Sequence, residues 1–112
     1  MITTAELTTE ALSKFLHDYM QKRFGASEFV QLVPSIARIA LEAIANSDAL
    51  YHNIEHTMMV TLAGHDIMRG RALFQQTTPA DYAHLIIACL THDIGYVRNI
   101  LIGDNEEGAL LD

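Results

Sequence analysis

The chain has 112 residues, half of them apolar and 19% charged, the balance of one globular domain and not of an intrinsically disordered chain. Fourteen acidic residues against seven basic ones give a formal charge of −7 with the histidines neutral. That excess argues against nucleic acid and against anionic lipid as partners, since both need clustered Lys and Arg. A phosphate-bearing ligand would have to be met locally, by a few arginines or a metal. Cys89 is the single cysteine, so no intrachain disulfide is available and nothing asks for an oxidising compartment. The opening Met-Ile-Thr-Thr-Ala-Glu lacks a basic n-region and an apolar h-region. The longest strongly apolar run, Leu85 to Leu90, is far too short for a bilayer. These features predict a cytoplasmic protein with no membrane partner.

Apolar residues recur at helical spacing nearly throughout, and no stretch alternates at period two. The expectation is an all-α compact helical bundle of about five helices, one domain over residues 1–112. A first helix fits about Thr4 to Phe24, with Leu12, Phe15, Leu16, Tyr19 and Met20 as its stripe and Gly25 as its stop. Ser27 reads as the N-cap of a second helix to about Asn46, with Phe29, Val33, Ile36, Ala40 and Ile44 facing inward. Pro34 falls inside that span and would also allow a later start, near Val33. After the break at Asn46 to Tyr51, a third helix is expected from about His52 to Gln75, its inward stripe being His56, Val60, Ala63, Ile67 and Phe74. Thr78-Pro79-Ala80-Asp81 is a helix start signal. The fourth helix carries Leu85 to Leu90 and ends at His92 or Asp93, before Gly95. A short helix over Tyr96 to Ile102 would follow. The polar tail then turns apolar again from Gly108, the pattern expected of the N-terminal portion of a longer domain. An incomplete core with apolar ends favours a homodimer.

Six histidines occur, and two groupings stand out. In Tyr51-His52-Asn53-Ile54-Glu55-His56 two imidazoles are four residues apart, only about 40° around a helix. In Thr91-His92-Asp93-Ile94-Gly95 an adjacent imidazole and carboxylate close an apolar run, costly to bury unless paired or metal-bound. Both residue types suit a borderline divalent ion. His56 lies on the third helix's expected inward stripe. His65 is about 180° away from it, so His65-Asp66 is expected to face solvent. His17 and His84 read as ordinary hydrogen-bonded or exposed histidines.

Tyr-His-Asn-x-x-His, followed by an apolar run ending in His-Asp-Ile-Gly, resembles the HD superfamily of metal-dependent phosphohydrolases. The first motif is most similar to its cyclic-nucleotide phosphodiesterase branch, and the resemblance covers Tyr51 to Val97. It implies a helical bundle with a metal at its centre, held by His56, His92 and Asp93. His52 matches the position that protonates the leaving oxygen, and Asp93 would also hold the attacking water. The implied cofactor is a divalent ion (Mn, Fe, Zn, Ni, Co or Mg). The implied reaction is hydrolysis of a small phosphate ester, a nucleotide or nucleotide-like molecule, by a metal-activated water. Asn53 or Glu55 could orient the imidazoles, and Arg98 is the nearest basic residue, read as a surface arginine. Two departures stand against full membership of that pattern. No suitable later Asp follows, Asp104 and Asp112 being poor stand-ins. Tyr96-Val97-Arg98 stands where the phosphodiesterases carry a further His, which counts against two metals and cyclic-nucleotide specificity. Nor does the Lys of the cyclic-di-GMP branch follow His-Asp-Ile-Gly. The competing expectations are a non-catalytic HD-like binding or regulatory module, and a helical protein whose histidines are only structural.

Overall fold

The computed structural model describes residues 3–46 and 51–92, the side chains of residues 51–53 excepted. Four helices run through them: α1 (Thr4–Phe24), α2 (Glu28–Ala45), α3 (Tyr51–Arg71) and α4 (Pro79–Thr91). No strand occurs among the described residues, so the chain is an all-α bundle. The short helix expected over Tyr96–Ile102 lies outside the described residues, as does the tail.

Local chemistry sets where the helices begin. Thr3 and Glu6 form a reciprocal capping box at the head of α1, the Thr3 hydroxyl accepting from the Glu6 amide and the Glu6 carboxylate from the Thr3 amide. Thr78 and Asp81 repeat that device on α4, with Pro79 in the first turn where its missing N–H costs nothing. Ser27 caps α2 by accepting from the Phe29 amide. α1 stops at Gly25, whose φ of 72° is open to glycine. α2 starts at Glu28 and runs through Pro34. That ring forfeits one ladder bond but is itself buried, and its carbonyl accepts from the buried Ser13 hydroxyl of α1. α3 ends at Arg71, short of the expected Gln75. The amides of Leu73 and Phe74 bond back only three residues, and their side chains are 81% and 88% exposed, so no burial favours another helical turn there.

α2 packs against α1, α3 and α4. Its Val30, Val33, Ala37, Ala40, Leu41 and Ile44 meet Leu12, Leu16 and Met20 of α1, Ile54 and Met68 of α3, and Tyr82, Ile86 and Leu90 of α4 in one core. The expected stripes of α1 and α2 hold in outline, with Phe15 partly exposed and Phe29 and Ile36 half-buried at the core's edge.

α3 is turned differently from the expectation. Its buried positions are Ile54, Thr57, Thr61, Gly64, His65 and Met68, whereas His56, Ala63 and Ile67 are exposed and Val60 is half-buried. Close approach outweighs apolarity here. A Cβ on Gly64 would come within 2.8 Å of the Cys89 sulfur on α4, so only this small-residue side lets the two helices pack so tightly.

Candidate functional site

The end of α4 meets the second turn of α3. His56 and His92 come together there with ring centroids 5.5 Å apart and planes inclined by 54°. Both rings are exposed, so His56 does not point into the core as the stripe predicted. His92 is the C-cap of α4. Its Nδ1 lies 2.7 Å from the Cys89 carbonyl. A carbonyl can only accept, so Nδ1 is the protonated nitrogen, and in the neutral ring Nε2 carries the lone pair. The bond also satisfies one of the last-turn carbonyls that every helix leaves without an internal partner.

This is the tautomer a metal-ligating imidazole needs, with its second nitrogen tied to a backbone carbonyl. Two imidazoles sharing a tetrahedral ion, each at a metal–nitrogen distance of about 2 Å, have centroids roughly 5 Å apart. The separation of His56 and His92 fits that demand. Among the described residues no third His, Cys, Asp or Glu joins them. Asp93 follows His92 directly but lies outside the described residues. So does the side chain of His52, whose backbone sits one turn before His56 in α3.

His65 contradicts the expectation that it faces solvent. It is 5% exposed and its Nδ1 is 2.7 Å from the Tyr82 hydroxyl. Phe15 and Tyr19 of α1 stand edge-on to it at 4.8 and 4.5 Å. Burial lowers its pKa below 6.5, while burial and the neighbouring Tyr19 hydroxyl push the Tyr82 phenol upward. The reason is the turn of α3 set by Gly64, which carries the adjacent position inward. The available signal was Thr57, Thr61 and His65 at successive four-residue steps, a small polar face beside Gly64. His84 is exposed, and His17 is half-buried beside the Asp18 carboxylate at 3.2 Å. Cys89 is half-buried, and burial raises its thiol pKa, which disfavours a nucleophilic thiolate.

An open groove of about 770 Å³ lies elsewhere, between the start of α1 and the end of α2, with Glu6, Glu10 and Glu42 along it. A smaller one of about 450 Å³ runs between α1 and α2. Its wall includes the bidentate Arg38–Glu10 pair, whose guanidinium holds the Glu10 carboxyl below its usual pKa. Neither groove is lined by His56 or His92.

The four helices define an all-α helical bundle. The chain matches the Npun_R2479-like family over residues 2–111 and belongs to it. No match was found among curated proteins or among solved structures. Among the described residues, no helix is long and apolar enough to cross a membrane.

Proposed function

We propose that the chain is a cytoplasmic HD-type metal-dependent phosphohydrolase acting on a small phosphate ester, a nucleotide or nucleotide-like molecule. The observation that carries this reading is the approach of His56 and His92 to 5.5 Å, with the His92 tautomer set by the Cys89 carbonyl. His56, His92 and Asp93 would hold the ion. When bound there, a divalent cation supplies Lewis acidity to the phosphoryl oxygens and makes water a better nucleophile at neutral pH. The Asp93 carboxylate accepts a hydrogen bond from the attacking water and orients it. His52, one turn before His56, donates a proton to the departing oxygen as the phosphorus–oxygen bond breaks.

The test is metal content together with turnover of bis-p-nitrophenyl phosphate and of nucleotides, with Mn, Fe, Co, Ni or Zn supplied. The expected outcome is that His56→Ala and His92→Ala lose both bound metal and turnover. His52→Ala should keep the metal and lose at least about a hundredfold in rate, the contribution of one positioned acid. A wild-type chain that takes up none of these metals overturns the reading. The exposure of both rings favours a second reading, a binding module that retains the ion and a nucleotide without hydrolysing it. Metal uptake without turnover of any of these substrates selects that reading.

A further inference from the structure

The end of α1, the end of α3 and the start of α4 come together at one end of the bundle. Phe24, the last residue of α1, holds its ring 5.9 Å from that of Tyr82 in the first turn of α4, and residues 72–78 join α3 to α4 there. That connection carries Leu73 and Phe74, 81% and 88% exposed, the two most exposed large apolar side chains among the described residues. At the same end stand Lys22 and Arg23 of α1 and Arg69 and Arg71 of α3, all exposed. These are four of the six Lys and Arg among the described residues, and the other two, Lys14 and Arg38, are paired with Asp18 and Glu10. We propose that this end of the bundle docks on an anionic phospholipid surface, with Leu73 and Phe74 entering the headgroup layer and the four cations lying against the lipid anions.

The formal charge of −7 disfavours such a surface for the chain taken as a whole, but the charge is unevenly placed. Glu6, Glu42 and Glu55 lie toward the opposite end, at the start of α1, the end of α2 and the start of α3. The acids near the cations are Glu28, Asp66 and Asp81. Asp66 is 3.9 Å from Arg69, and the Asp81 carboxylate is engaged in capping α4, so four cations against these three acids leave the end positive. Exposed apolar side chains beside basic ones supply the two signals that a peripheral membrane contact needs, since neither alone holds a protein on a bilayer. Neither groove of the bundle includes Leu73 or Phe74. They protrude, which suits a headgroup layer that closes around a side chain. Two copies meeting through this end would instead oppose like charges. In this pose His56 and His92 sit roughly 22 Å away along α3 and face the water.

Flotation of the whole chain with vesicles of phosphatidylcholine, with and without phosphatidylserine, tests this. The expected result is binding only where phosphatidylserine is present, weakening as salt is raised. Lys22→Glu combined with Arg69→Glu should lower the partition by about tenfold or more, and Leu73→Ser combined with Phe74→Ser should lower it by a similar factor. Leu7→Ser, at an exposed apolar position of the other end, should leave it unchanged. The chain has no tryptophan, so Phe74→Trp reports entry into the headgroup layer by a blue shift of its emission. A chain that never floats overturns the proposal, as does one that binds phosphatidylcholine alone equally well, or an emission of Phe74→Trp that vesicles do not move. Binding to soluble polyglutamate but not to vesicles overturns it too, and assigns this end to an acidic protein segment.

Discussion

The His65–Tyr82 bond is a buried polar contact inside an aromatic cage, with Tyr19 and Phe24 also 5.0 and 5.9 Å from the Tyr82 ring. Removing one partner there costs more than the bond itself is worth, because the other is left desolvated and unpaired. Tyr82→Phe keeps the ring and removes only the hydroxyl. It is expected to destabilise the fold by about 1–3 kcal/mol, measured by urea unfolding. An unchanged midpoint would mean that His65 finds another partner. At this scale the sequence was legible only in part. His56 and His92 could be singled out from the two motifs, and the structure brings their rings together. The solvent-facing position expected of His65 was wrong, because a four-residue spacing fixes which residues share a face but not which face turns inward.

At the scale of the element, α3 turns a partly polar side inward, with Thr57, Thr61 and His65 among its buried positions. The hydroxyls of Thr57 and Thr61 are fully buried and have no hydrogen-bond partner among the described residues. Each is a desolvated group without return, so Thr57→Val and Thr61→Val are expected to raise stability by about 1 kcal/mol apiece. Thermal unfolding checks this, and lowered midpoints in both would sink it. Gly64→Ala should do the opposite. The added methyl meets the Cys89 sulfur at 2.8 Å, and overpacking of this kind costs about 1–3 kcal/mol. Adding Cys89→Ala removes the obstacle, so the double variant should recover much of the loss, a coupling that a double-mutant cycle measures directly. The same pair explains why the face of α3 was misread. Apolar periodicity weights Ile67 and Phe74, whereas helix approach is decided by glycine and a small thiol.

Across the whole molecule, helix starts were the most legible feature. Thr78-Pro79-Ala80-Asp81 and Ser27 carry their own capping chemistry, and α1 and α4 begin and end within a residue of the expected positions. The end of α3 was less legible, since its last turns depend on what Leu73 and Phe74 could pack against. Acid should find the weak point of this bundle at His65. Its folded pKa lies below 6.5 because burial disfavours the imidazolium, so below that pH the unfolded chain binds the extra proton more readily. Stability is therefore full above pH 6.5 and falls as pH drops from there toward the lower folded value. Urea midpoints collected along that interval should decline, and His65→Phe should flatten the decline. A slope unaltered by that substitution would place the acid sensitivity elsewhere. His92 has a different consequence. The imidazole that would grip an ion is also the stopper of α4, through the Cys89 carbonyl. Anything that drew this ring aside would fray the helix tip, and anything that clasped it would tighten the same tip, so ligand occupancy and the winding of that final turn are mechanically one event.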